Sequence, residues 1–448
     1  MSDPGLVRAV GLAVPVLVVV VLCALRPPSP RELAAVITAT GWSFVLLWPL
    51  NLAAPGLGWW EFGADGAAWR GAPVDLVLAW ALLWGAVPAL ILRTVRRRTG
   101  GLRAGHLLVL GAGLVWLDLA VMPLGGPVVV LRPAWLVGEA VAAVAVLVPA
   151  LLLTRWTLGR TRVGARAWAQ AVWAGGLVLA LPVAVLAPSP PWPAPVTSAG
   201  IQLVLVLCLP GLAAMRELAV VGRGTPLPYD PPSRLVASGP YAYVRNPMQA
   251  TVVAAFLGLA FTFAAPQLAI GAVAAVVYGA GLAQWHEGQE LAHRYGDGWL
   301  RYRGSVRAWV PRWRPATTIP RAVLYVAADC DICTGVGGWF AARDTTGLVL
   351  RPAAEHRDVL YRVRYESAGV RADGVAAIAR ALGHTNLGWA AVGWALDLPV
   401  VRQFTQLCAD AFGAGPRPSR PRPAGPPQEP SLRDGVGRRR PALRPRHP

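Results

Sequence analysis

The chain has 448 residues, of which 55% are hydrophobic and 15% charged, with a mean hydropathy of +0.47. That balance excludes an ordinary soluble enzyme and makes the bilayer the expected solvent for most of the chain. The net charge of +19 rests on arginine alone, with no lysine; the arginines sit in short loops and a Pro-rich tail, which points to membrane topology and anionic lipid and away from nucleic acid.

Apolar runs long enough for the hydrocarbon core recur up to Trp285 and are missing after Pro315. The predicted spans are Ala9–Leu25, Leu33–Ala54, Val74–Leu92, Leu107–Leu124, Ala134–Leu153, Ala169–Ala187, Ile201–Met215, Gln249–Ala264 and Gln267–Trp285, about nine in all. Arg26-Pro-Pro-Ser-Pro follows the first run where a signal peptide would carry small residues, so that run is read as a span. Of the five cysteines Cys23 and Cys208 fall inside spans, which excludes a secreted disulfide framework.

Arginines cluster in alternate loops: Arg26 and Arg31, then Arg93 to Arg103, then Arg155 to Arg166, then Arg216 to Arg245. The opposite set holds only Arg8, Arg70 and Arg132. By the positive-inside rule the N-terminus is expected outside, in a multi-pass protein of the inner (plasma) membrane, and everything after Trp285 in the cytoplasm. Asp118 and Glu139 lie within spans, where a carboxyl group needs a partner. A polar contact between helices, near Trp116 or Trp135, is the expected role.

The loop from Arg216 to Met248 is long and rich in Pro and Gly, and long ordered loops carry function. It ends at the eighth span in Gly239-Pro-Tyr-Ala-Tyr-Val-Arg-Asn-Pro-Met. A methyl donor with an amino-acid head needs partners for a carboxylate and an ammonium and a surface for its base. Arg245 offers a fork for the carboxylate, Glu287 or Glu290 can meet an ammonium or ribose hydroxyls, and the Tyr241, Tyr243 and Trp285 rings can pack on a base. The hairpin turn Ala264-Ala-Pro-Gln267 returns the two short spans to one face.

With Glu287-Gly-Gln-Glu-Leu291, Tyr295-Gly296, Trp299, Tyr302 and Val310-Pro311, this motif resembles the isoprenylcysteine carboxyl methyltransferase and phospholipid methyltransferase superfamily of membrane enzymes. The resemblance implies S-adenosylmethionine as cofactor, held on the cytoplasmic side, and a lipophilic acceptor that enters from the bilayer and offers a carboxylate or hydroxyl. It assigns donor binding to Tyr241, Arg245, Asn246, Pro247, His286, Glu287 and Glu290. Three positions depart from the family: Asn246 stands in place of His, Gln249 in place of Tyr, and Gly288 in place of the second Glu. Asn246 can hydrogen-bond but cannot titrate as a base.

Beyond Arg321 the pattern becomes α/β, with strands expected at Ala322–Ala327 and Leu348–Arg351 and helices at Cys333–Arg343, Asp373–Leu382 and Pro399–Phe412. A strand, then Asp329-Cys330-Asp-Ile-Cys333, then a helix places one thiol at a helix N-terminus and a second one turn on. This segment resembles the DCC-type thiol-disulfide oxidoreductase family, which implies a thioredoxin-like fold, Cys330 and Cys333 as catalytic residues and a thiol partner. No second Cys or His pair completes a zinc site, and His356 and His384 are expected at the surface.

The expected whole is an α-helical polytopic membrane protein with a cytoplasmic thioredoxin-like domain. Residues 1–200 form a multi-span region, 201–315 the methyltransferase-like part, 321–415 the CxxC domain and 416–448 a disordered tail. The expected function is S-adenosylmethionine-dependent methyl transfer; the alternatives are a membrane-anchored thiol-disulfide oxidoreductase, and a transporter or structural membrane protein.

Overall fold

The computed structural model of the protein describes residues 3–63, 66–187, 190–328 and 330–419, with the side chains of 282–287 outside that description. Seven described helices are long and apolar enough to cross a bilayer: α1 (Pro4–Leu25), α2 (Pro30–Ala53), α3 (Val74–Thr99), α4 (Ala104–Gly125), α5 (Trp135–Gly159), α6 (Val163–Leu186) and α7 (Ala194–Val220). Capping residues fix the first two starts. Asp3 accepts the Gly5 N–H at 2.9 Å, and at α2 Ser29 and Glu32 form a capping box with Pro30 in the first turn. Between spans, β1 (Trp60–Phe62), β2 (Ala68–Trp69), β3 (Ala72–Pro73) and β4 (Val129–Leu131) form two antiparallel ribbons, β1 with β4 and β2 with β3.

Three spans widen for one turn, at Leu82–Ala86, Ala143–Leu147 and Gly176–Ala180. Each wide turn is followed within two residues by a proline: Pro88, Pro149 and Pro182. Proline has no N–H and its ring collides with the carbonyl four residues back; the extra residue of a wide turn relieves that collision and keeps the helix continuous. In the first of these turns Gly85 lets α3 lie directly on α2, since a Cβ there would stand 2.5 Å from the Thr40 Cα. Trp84, Leu92, Leu147 and Leu158 fill the core of this bundle. Asp118 accepts from Trp80 Nε1 at 3.1 Å and also contacts Glu139, whereas the expected neighbour Trp116 is largely exposed.

The eighth predicted span keeps its expected 16 residues, shifted by two towards the N-terminus, and the ninth is shorter than the expected Gln267–Trp285. Among the described residues they are α8 (Pro247–Thr262) and α9 (Leu268–Gly281); the 16 residues of α8 rise about 24 Å, less than the hydrocarbon thickness of about 30 Å. The Asn246-Pro247 start and the Pro266 turn cut them off. Two polar helices follow, α10 (Gln284–Tyr295) and α11 (Asp297–Ser305).

The C-terminal unit holds β5 (Ala322–Val326), α12 (Asp331–Ala341), β6 (Leu348–Pro352), β7 (Arg364–Ser367), β8 (Val370–Asp373), α13 (Val375–Leu382), α14 (Leu387–Leu396) and α15 (Pro399–Ala409). The sheet order is β6-β5-β7-β8, with β5 parallel to β6 and antiparallel to β7, and β7 antiparallel to β8. Leu324, Phe340, Tyr365 and Leu382 form its core.

Several expectations for this unit are corrected. His356 and His384 are buried, at 5% and 2% exposure, because backbone groups supply their partners. The Asp358 N–H donates to His356 Nδ1 at 3.0 Å, and His384 Nδ1 lies 2.8 Å from the Thr346 carbonyl. Asp373 does not cap α13; it ends β8 and pairs with Arg364 at 2.7 Å. The start of the expected tail is held, since the Ser419 N–H donates to the Leu360 carbonyl at 2.7 Å. Asp329 and residues 420–448 lie outside the described residues.

Candidate functional site

Helix α7 carries Arg216 and Glu217 near its end at Val220, and the Pro-rich loop that follows is pinned at several points. The Ser233 N–H donates to the Gly222 carbonyl at 2.8 Å, the Tyr295 hydroxyl to the Pro232 carbonyl at 2.8 Å, and Arg166 of α6 pairs with Asp230 at 2.5 Å. The loop then turns at Gly239, whose φ of +59° and close approach to the Glu217 side chain, 3.2 Å from an added Cβ, require glycine.

The motif that follows is paired with chain from far downstream. The Arg245 and Asn246 N–H groups donate to the Arg307 and Ala308 carbonyls at 2.8 and 3.1 Å, and the Arg312 and Ala316 N–H groups donate to Tyr243 and Ala242 at 3.0 and 2.8 Å. The stretch containing Val310-Pro311 therefore runs beside the motif and fixes its backbone. The Tyr302 hydroxyl adds a bond to the Tyr241 carbonyl at 3.0 Å.

A cavity of about 520 Å³ opens beside this motif, a volume suited to a small-molecule ligand. Tyr241, Arg245, Asn246, Pro247 and Glu290 of the sequence-predicted set all line it. Arg245 donates to the Arg303 carbonyl at 3.2 Å, and among the described residues no carboxylate lies within ion-pair distance of it. Burial, reinforced by the nearby Arg303, lowers its pKa below the ordinary guanidinium value. Asn246 stands at the N-terminal cap of α8 without a capping bond from its side chain. Glu290 pairs along its helix with Arg294 at 2.6 Å.

The structure adds residues that sequence reasoning left out. Gln249, Tyr278, Arg294 and Arg303 also line the cavity, and among the described residues the buried Oε1 of Gln249 has no hydrogen-bond partner. The aromatic wall is Tyr295, Trp299 and Tyr302, and burial raises the Tyr302 phenol above its ordinary pKa. Gln249 was visible in the sequence as the position where the motif departs from the family pattern.

Other predicted groups lie elsewhere. Tyr243 turns away from the cavity, fully buried, with its ring edge-on to Trp394 at 5.8 Å, so it packs on protein and not on a ligand base. Cys330 and Cys333 do not line the cavity. Cys330 caps α12, its Sγ accepting the Cys333 N–H at 3.3 Å. The side chains of Trp285, His286 and Glu287 lie outside the described residues; their backbone belongs to α10.

The sequence model of the phospholipid methyltransferase family matches residues 196–298, less than a quarter of the chain. The match runs from α7 through the pinned loop, the α8–α9 hairpin and α10 to the start of α11, and so contains most of the cavity lining. This likeness implies methyltransferase activity in the membrane. No curated protein and no solved structure matches the chain.

Proposed function

We propose that this protein is an S-adenosylmethionine-dependent methyltransferase whose acceptor is a lipophilic molecule, with a carboxylate or hydroxyl nucleophile, drawn from the bilayer. One observation carries the reading: within the segment matched by the methyltransferase family, the Arg245 guanidinium lines a cavity of about 520 Å³ with no described carboxylate to pair with it. A half-buried cation of this kind fits the carboxylate of an amino-acid head group.

The other lining groups fit the same donor. The Gln249 Oε1, without a partner among the described residues, accepts an N–H and suits an ammonium, and Asn246 offers both donor and acceptor. Tyr241, Trp299 and Tyr302 form a wall that packs on a flat base and excludes water. Pro247 sets the first turn of α8 and with it the direction of Asn246. His286 and Glu287 complete the proposed donor-binding set on the ground of the sequence motif. When bound, S-adenosylmethionine supplies an electrophilic methyl group; the protein's part is to align donor and acceptor in a dry cavity.

The arginine distribution supports the inner membrane with the N-terminus outside and the cavity facing the cytoplasm. For the C-terminal unit the sheet order β6-β5-β7-β8 with one parallel pair, and α12 between β5 and β6, support a thioredoxin-like fold. A second reading, thiol-disulfide exchange with a thiol partner, is favoured by Cys330 at the start of α12 and Cys333 one turn on.

Calorimetry of S-adenosylmethionine with detergent-solubilised protein tests the first reading. Binding that is lost in Arg245→Ala and kept in Arg132→Ala, a change on the opposite side of the bundle, supports it. Equal binding by parent and Arg245→Ala would exclude the assigned site.

A further inference from the structure

The arginine-rich ends of the first spans carry a second cavity, of about 590 Å³, away from the methyltransferase motif. It lies between the turn joining α3 to α4 and the turn joining α5 to α6, and its lining includes Arg96, Arg155, Trp156, Thr161 and Arg162. Negative charge near this face is already committed. Glu32 pairs with Arg97 at 2.8 Å and Arg93 at 3.8 Å, and Asp230 pairs with Arg166 at 2.5 Å. Among the described residues no carboxylate is within ion-pair distance of Arg96, Arg155 or Arg162. The Arg31 guanidinium adds to the positive field, standing within electrostatic reach of Arg96 and Arg160.

The turn is held in a costly shape. Arg160 and Arg162 both take left-handed backbone angles, with φ of +55° and +47°. The conformation is fixed by the Thr161 N–H on the Trp156 carbonyl at 2.9 Å and by Arg166 Nε on the Thr161 carbonyl at 3.0 Å. Strained backbone of this kind persists where its surroundings over-determine it, often at ligand sites. The cavity sits at the ends of four spans beside an indole, the level at which headgroups lie.

We propose that this cavity binds the phosphate of an anionic phospholipid headgroup, with Arg96, Arg155 and Arg162 as its cationic partners. The same chemistry would take a soluble phosphate, so the test separates the two sources. Binding of dioctanoyl phosphatidylglycerol, dioctanoyl phosphatidylcholine and inorganic phosphate to the detergent-solubilised full chain is measured by thermophoresis. Phosphatidylglycerol is expected to bind in preference to phosphatidylcholine, and the double change Arg96→Gln with Arg155→Gln to weaken it about 25-fold, at about fivefold for each arginine. Arg132→Gln at the other end of the bundle should bind as the parent, and Arg96→Lys with Arg155→Lys, which keeps the charge, should retain most of the affinity and report on folding. Equal affinity for the two lipids, or a double Gln variant that binds like the parent, would overturn the site. Inorganic phosphate that binds at the same arginines while phosphatidylglycerol has no advantage would overturn the lipid as occupant.

Discussion

The Tyr243 hydroxyl donates to the Gly383 carbonyl at 3.1 Å, joining the motif beside the cavity to the end of α13, 140 residues later. Burial raises the phenol above its ordinary pKa, so it remains a donor. Tyr243→Phe leaves the carbonyl without this donor and is expected to cost about 1–3 kcal/mol. Hydrogen exchange of peptides spanning 375–396 should then speed up while those of α1 to α3 are unchanged.

Beside that bond, Arg380 of α13 reaches Glu217 at 3.4 Å and Asp397 at 3.9 Å, and Asp397 also pairs with Arg216. Glu217 in turn accepts from Ser238 at 2.5 Å, directly before the motif. Removing one member of a buried ion network leaves charge without compensation, and Arg380→Met is expected to destabilise the docked C-terminal unit by about 3–5 kcal/mol. Limited proteolysis between Ile319 and Ala322 should cut the variant far faster than the parent.

His384 gives the docked unit a pH dependence. Its Nε2 accepts from the Tyr365 hydroxyl at 2.9 Å while Nδ1–H donates to Thr346 at 2.8 Å, which is the neutral ring. Burial lowers the folded-state pKa below the ordinary 6.5, so the unfolded chain binds the proton more readily. The stabilisation is complete above the ordinary value and is lost as pH falls beneath it. Protection factors of peptides spanning 375–396, corrected for the intrinsic pH dependence of exchange, should fall as pH drops below about 6.5, and His384→Gln should flatten that dependence.

Gly85 is a point of close backbone approach between α2 and α3. A Cβ there meets Thr40 backbone atoms at 2.5 and 2.7 Å, which cannot rotate away. Gly85→Ala is expected to destabilise the bundle by about 1–3 kcal/mol, seen as a lower Tm in detergent.

At the cavity, replacing the guanidinium fork by a point charge is a finer probe than deletion. Arg245→Lys should weaken S-adenosylmethionine binding about tenfold, measured by calorimetry.

The seven long spans were legible because twenty or so apolar residues admit few other structures. The hairpin was legible as two short apolar runs joined at Pro266, and Pro247 moves the start of the first by two residues. In the C-terminal unit the apolar β5 and β6 were visible, whereas the polar β7 (Arg364-Tyr-Glu-Ser) and edge strand β8 (Val370-Arg-Ala-Asp) are revealed only by pairing with β5 and with each other. Arg245, Asn246 and Tyr241 could be read from one contiguous motif. Arg294, Arg303 and Tyr278 could not, because folding, not spacing, brings them to the same cavity.

The pairing of residues 307–316 with the motif at 242–246 has a consequence for how the protein is made. On the ribosome the motif emerges well before the stretch that braces it, and before Gly383 and Arg380 arrive to hold its far side. A nascent chain that has reached only residue 298 has the full family-matched segment yet lacks that brace. The membrane bundle can insert early, but the cavity takes its final form only late in synthesis, once the C-terminal unit has been released to fold against it.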